Sequence, residues 1–137
     1  MSVSRDANID YSNTINKFRK FFLGRNFVEI NTQPNRTIMA SCEDPQTLTT
    51  YKIGDTVWPL PQTGQLGLEL ELLKHPEYDG VFCETTSYRN EPNPVEGRHE
   101  LTFKMLEFEG RGDISGLINL EKDLLDYFGF TTHEEID

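Results

Sequence analysis

The sequence has little of what builds metal centres or disulfide frameworks. It contains two cysteines, Cys42 and Cys83, and three histidines, His75, His99 and His133. The cysteines have neither CxxC spacing nor the density of a disulfide scaffold. The histidines lie too far apart for a zinc-ligand pattern. The tail HEEID is not HExxH, because the residue four after His133 is Asp137. Reduced thiols in a cytosolic protein are the simplest reading. No apolar run approaches the ~20 residues of a membrane helix, and MSVSRDANID lacks the apolar core of a signal peptide. The expected location is therefore the cytoplasm, with no membrane partner. Basic residues are also scarce, 13 Lys and Arg against 23 Asp and Glu, for a net charge of −10. A surface that grips phosphate backbones unaided needs clustered Lys and Arg. Such a surface is not expected, although a small basic pocket for one nucleotide remains allowed.

What is present fits one ordinary globular domain. The chain has 137 residues, 36% hydrophobic and 26% charged, enough to bury a core. Residues 1–9 read as a flexible polar start. Asp10 is a candidate N-cap for a helix whose stripe is Tyr11, Ile15, Phe18 and Phe22. Arg19, Lys20 and Arg25 suit its C-terminal end, and Gly24 marks the stop. Phe27 to Ile30 reads as a short strand, closed by Pro34. Residues 35–47 read as loop. Strands over 48–53 and 56–60 flank Gly54-Asp55, a strong hairpin signal. Thr63 is a candidate cap for a helix over 62–74 with Leu66, Leu70 and Leu73 as its stripe, ending near His75-Pro76.

Val81–Glu91 and Leu101–Glu109 then have strand character, separated by a loop over 92–100 rich in Pro, Gly and charge. From Asp113 a final helix carries Leu117, Leu120, Leu124 and Phe128, with an acidic tail at 131–137. The order is helix, strand, hairpin, helix, long hairpin, helix. That order predicts an α+β fold, an antiparallel sheet with flanking helices.

Side chains alternate faces along a strand. If the odd-numbered sets of the two long strands face the same way, Arg89, Glu91, Phe103 and Glu107 share a surface. A guanidinium offers paired donors to a phosphate, an aromatic ring stacks on a base, and carboxylates hold Mg²⁺ or accept from an amino group. Arg98 and His99 in the loop could fold over outer phosphates. Periodicity alone leaves a plainer reading open: a solvated ion pair on a sheet, with Phe103 and Met105 as core.

The particular string separates these readings. Tyr88-Arg89-Asn90-Glu91, a loop with Arg98-His99, then Phe103-x-Met105-Leu106-Glu107 resembles motif 2 of the class II aminoacyl-tRNA synthetases. Phe18 to Thr32, with FVEINT after an amphipathic helix, resembles motif 1, placed at about 11–34. Thr63-Gly64-Gln65-Leu66-x-Leu68-Glu69 resembles the Gly-Gln-Leu segment of asparaginyl-type enzymes, within an amino-acid-binding helix at 62–74. Motif 2 spans 81–109, and the core as a whole 10–130.

The resemblance implies ATP-dependent activation of an amino acid, of the asparagine, aspartate or lysine type. Arg89 would hold the α-phosphate of ATP, Glu91 would contact the adenine end, and Phe103 would stack on the base. Arg98 or His99 would reach the γ-phosphate. Glu107 would line the site and is the candidate Mg²⁺ ligand. Gln65 would bind the substrate ammonium, with Glu43 and Glu69 beside it. The substrate carboxylate attacks the α-phosphorus in line, so no Ser, Cys or His nucleophile is expected. The resemblance also implies a homodimer through motif 1, and tRNA as one possible acceptor. An amidating ligase, or transfer to a protein or small molecule, shares the same first step.

The sequence departs from the family pattern in places. Gln33 precedes Pro34 where the family has Thr-Pro. Leu101-Thr102 replaces Pro-Glu. Leu68 stands where aspartyl enzymes carry Lys, which weakens an aspartate reading. Nothing after Phe130 matches the third class motif, a Gly-rich segment bearing a second ATP-binding Arg. No anticodon-binding barrel precedes the first helix. The expectation is a truncated or partial synthetase-like chain. The alternative is a non-catalytic module that binds ATP or an amino acid, or dimerises.

Overall fold

A computed structural model describes residues 5–32 and 38–131. Helix α1 spans Arg5–Leu23, followed by strand β1, Phe27–Glu29. A short 3-10 turn at Pro45–Thr47 precedes the hairpin of β2, Thr50–Ile53, and β3, Thr56–Pro59. Helix α2 covers Gln65–Lys74, strands β4 and β5 cover Gly80–Tyr88 and Thr102–Gly110, and helix α3 covers Ile114–Phe128. The expected α+β architecture and element order hold.

The sheet differs from expectation in one respect. Its order is β1-β4-β5, and β4 pairs antiparallel with β5, but β1 pairs parallel with β4, Val28 opposite Val81. The sheet is therefore mixed. Hairpin β2-β3 forms a separate two-stranded sheet, turned by Gly54 at φ +59°, a backbone conformation that glycine adopts without steric cost. Close packing fixes the β1-β4 contact. A Cβ on Gly80 would lie 2.1 Å from the Phe27 ring.

Two layers cover the sheet. On the even-numbered face, Phe18, Phe21, Phe22 and Phe82 form a buried cluster joined by Phe108, Leu106, Leu120, Leu124 and Phe128. The Phe22 ring sits 5.4 Å from Phe82 and 4.9 Å from Phe108. On the odd-numbered face, Leu68 of α2 packs on Val81 and Cys83 with Val28, Ile30 and Leu72. Burial of such side chains contributes roughly 1.5–3 kcal/mol each. Polar contacts also tie α1 to the sheet. Glu84 accepts from the Tyr11 hydroxyl at 2.7 Å and pairs with Lys104 at 2.7 Å.

Several local expectations are corrected. Helix α1 begins at Arg5 rather than after Asp10, so residues 5–9 belong to the helix. No Gly or Pro interrupts that stretch, and Asp6 in the first turn suits the helix dipole. Its buried face includes Phe21, whereas Tyr11 is exposed. The α2 stripe is also different: Leu68 is buried and Leu73 is 75% exposed, because α2 turns its Gly67-Leu68 side onto β4. Gly64, not Thr63, is the α2 N-cap, without a side-chain cap. Strand β4 stops at Tyr88, short of Arg89 and Glu91.

Helix α3 follows expectation more closely. The Asp113 side chain caps it at the Gly116 N–H (2.9 Å), and Gly129 ends it at φ +98°. Leu117, however, is exposed. Pro34 and the tail at 132–137 lie outside the described residues. No described helix is long and apolar enough to cross a membrane.

Candidate functional site

The β4-β5 register sets the site. Cys83 opposes Glu107, Thr85 opposes Met105, and Ser87 opposes Phe103. Odd-numbered residues of both strands therefore share the face covered by α2. The ladder runs one pair past β4, where the Arg89 N–H donates to the Leu101 carbonyl at 2.8 Å. Arg89 thus stays on the odd face although the strand has ended. Its guanidinium carbon lies 5.6 Å from the centre of the Phe103 ring, and its Nε donates to the buried Ser87 hydroxyl at 3.4 Å. A cation over a ring at such a site contributes about 0.5–1 kcal/mol. The pair forms a flat aromatic surface beside a fixed positive charge.

The rest of the expected nucleotide set is less gathered. Glu91 is half-buried just beyond Asn90, whose N–H donates to the Thr47 carbonyl at 2.8 Å. Arg98 and His99 are exposed in the loop. Both donate their backbone N–H to the Val95 carbonyl, at 3.1 and 2.9 Å. His99 Nδ1 accepts from the Val95 N–H at 3.2 Å, an arrangement that places the ring proton of a neutral imidazole on Nε2. None of the contacts among the described residues joins this turn to Arg89 or Phe103.

The amino-acid candidates surround the start of α2. Gln65 Oε1 accepts from the Cys42 thiol at 2.7 Å, and its Nε2 donates to Glu69 at 2.9 Å. Glu43 braces its own loop instead. Its two oxygens accept the Ala40 N–H at 2.6 Å and the Gln62 N–H at 2.9 Å. Two cavities flank this helix start. One of about 230 Å³ is lined by Glu43, Met39, Thr63, Gly64 and Thr85. The other, about 260 Å³, is lined by Gln65, Thr63, Leu68, Glu107 and Glu109. The structure thus brings Gln65, Glu69 and Glu107 to one end of α2 and places Glu43 on its other side.

Glu107 is held by three donors: the Thr63 hydroxyl, the Gly64 N–H at 2.8 Å and the Thr85 hydroxyl at 2.5 Å. These engage most of a carboxylate's lone-pair sites. Among the described residues no group of three or more His, Cys, Asp or Glu could hold a metal ion. The Glu107 donor set therefore does not fit the expected Mg²⁺ role.

The surroundings are electronegative. Burial, and then the charges of Glu69 and Glu107, push the Glu109 carboxyl above its usual range. Burial, with Glu107 adding to it, pushes the Cys83 thiol up to about 12. Partial desolvation also raises the thiol of Cys42, which is exposed.

Sequence reasoning did not single out Cys42, Gly64, Thr85 or Glu109 as site residues. Thr85 and Glu109 were legible by alternation from Arg89 and Glu107. No local pattern links Cys42 to Gln65, which lies 23 positions along the chain.

No protein-family model matches the chain, and no curated protein sequence does. Solved structures do match. An asparaginyl-tRNA synthetase from Pyrococcus horikoshii, complexed with asparaginyl-adenylate, superposes with a TM-score of 0.72 at 27% identity, over 82% of this chain. Entamoeba histolytica asparaginyl-tRNA synthetase, also with asparaginyl-adenylate, gives 0.66 at 26% identity over 80%. A Leishmania major protein described as an aspartyl-tRNA synthetase gives 0.67 over 85%, at 20% identity, which shows the fold alone. The chain spans only 25%, 22% and 21% of these three proteins' lengths. With the motif-bearing strands and α2 placed as described, the chain resembles part of the class II catalytic core of asparaginyl-tRNA synthetases and shares its fold with the Leishmania protein.

Proposed function

We propose that this chain forms the ATP and amino-acid subsites of an adenylate-forming ligase, in an aminoacyl-tRNA synthetase or a synthetase-like relative. The observation that supports this most is the pairing of Arg89 with Phe103 on the sheet face that also carries the start of α2. In this reading Phe103 stacks on adenine and Arg89 holds the α-phosphate. Glu91 contacts the adenine end, and Arg98 or His99 closes over the outer phosphates. Gln65, oriented by Glu69, receives the substrate ammonium.

The substrate carboxylate then attacks the α-phosphorus. A new carboxyl–phosphate bond forms, the bond to the bridging oxygen breaks, and pyrophosphate leaves. Positioning and charge neutralisation do this work, so no nucleophilic side chain takes part. A homodimer through α1 and β1, tRNA as acceptor and a cytoplasmic location belong to the same reading.

Amino-acid-dependent pyrophosphate exchange into ATP, run across the twenty amino acids, tests the proposal. Exchange with one amino acid, lost in Arg89→Ala, is expected. A folded sample that exchanges with none overturns the catalytic reading. Retained binding of ATP or amino acid without exchange would identify a non-catalytic binding module.

A further inference from the structure

Glu107 lies on β5 but reaches the start of a helix. Besides its contacts to Thr63, Gly64 and Thr85, Thr63 Oγ1 accepts the Gln65 N–H at 3.1 Å. A continuous hydrogen-bonded path therefore runs from β4 (Thr85) through β5 (Glu107) to Thr63, Gly64 and Gln65. The packing is equally close. A Cβ on Gly64 would stand 2.8 Å from Thr85 Cγ2, 2.9 Å from Cys83 Sγ and 3.2 Å from Glu107 Oε2. Gly64 itself brings no capping side chain to α2, and the carboxylate from the neighbouring strand accepts the Gly64 backbone N–H at the positive end of the helix. Only a carboxylate accepts from all three donors without presenting an N–H of its own.

We propose that Glu107 is a positioning residue and not a Mg²⁺ ligand: it locks Thr63-Gly64 against the sheet and thereby fixes where Gln65 presents its amide. The consequence for amino-acid binding rests on the role of Gln65 proposed above. The locking of the helix start does not.

The test uses the full chain as wild type, Glu107→Gln and Thr85→Val. The valine variant keeps the carboxylate and the side-chain shape, and removes one donor. Amide hydrogen exchange at Gly64 and Gln65 is measured with L-asparagine and ATP affinities, the latter with and without Mg²⁺. Both variants should speed exchange at these amides and weaken L-asparagine roughly tenfold, in line with losing a charge-assisted hydrogen bond. ATP affinity and its Mg²⁺ dependence should stay at the wild-type value. Unchanged exchange at Gly64, or a Mg²⁺ dependence lost in Glu107→Gln, would overturn the proposal. If the wild-type chain binds no L-asparagine, the substrate reading of Gln65 fails, and exchange at Gly64 and Gln65 alone decides whether Glu107 locks the helix start.

Discussion

The Arg89 guanidinium lies over the Phe103 ring at 5.6 Å, across two strands and one pair beyond the last regular rung of their ladder. A nucleotide placed there meets a stacking surface and a fixed positive charge together. Arg89→Ala should weaken ATP binding more than tenfold, and Phe103→Ala by a similar factor, given that stacking on an aromatic side chain contributes about 1–3 kcal/mol per base. Calorimetric titration with ATP checks both. Wild-type affinity in both variants would place the nucleotide elsewhere.

Gly64 is the tightest point in the site. Gly64→Ala should destabilise the chain by about 1–3 kcal/mol, as overpacking in a filled interior does, and should disturb the Glu107 contacts. Gly116→Ala is the control, because the nearest atom to its added Cβ is Asp113 Oδ1 at 3.6 Å. Urea unfolding of the two variants should show a lowered midpoint for the first only.

The two thiols should behave differently. Cys42 is exposed and Cys83 is buried, with the latter pushed up to about 12 by burial and by Glu107. Maleimide at neutral pH should label Cys42 and spare Cys83, as mass spectrometry would read. Because Cys42 touches Gln65, the labelled chain should lose L-asparagine binding and keep ATP binding. Labelled chain with wild-type L-asparagine affinity would separate Gln65 from the substrate site.

Glu84 and Glu109 should give opposite pH dependences. The hydrogen bond from Lys104, followed by that from Tyr11, holds the Glu84 carboxyl below its usual range. Its stabilising contribution is therefore present above the ordinary carboxylate range and is lost as pH falls through the depressed value. Glu109 is raised by burial and by Glu69 and Glu107, so the folded state favours its protonated form, and that advantage is lost as pH rises through the raised value. Glu84→Gln should flatten the acid limb of a stability profile. Glu109→Gln should stabilise the chain at neutral pH and have no effect in acid. Denaturant midpoints measured across pH 3–8 check the sign of each.

The legible parts of this molecule were those governed by short periods. Alternation along β4 and β5 placed Arg89, Phe103 and Glu107 on one face, and the start of α3 read near Asp113 is the observed cap. Burial of Phe21 was not legible, because two adjacent aromatics both become core only when a sheet and α3 cover α1 from different sides. The direction of β1 was not legible either, since three residues, Phe27–Glu29, carry no pattern that selects parallel pairing. The role of Glu107 depends on Thr63, 44 positions away, and only the folded chain brings them together.

In the proposed reading, one face of this chain holds an aminoacyl-adenylate, with Arg89 and Phe103 at the nucleotide end and Gln65 at the amino-acid end. Calorimetric titration with a non-hydrolysable asparaginyl-adenylate analogue tests it most directly. Saturable binding, weakened by Arg89→Ala and by Gln65→Ala, is expected. A folded chain that does not bind the analogue, or binds it equally well in both variants, would contradict it.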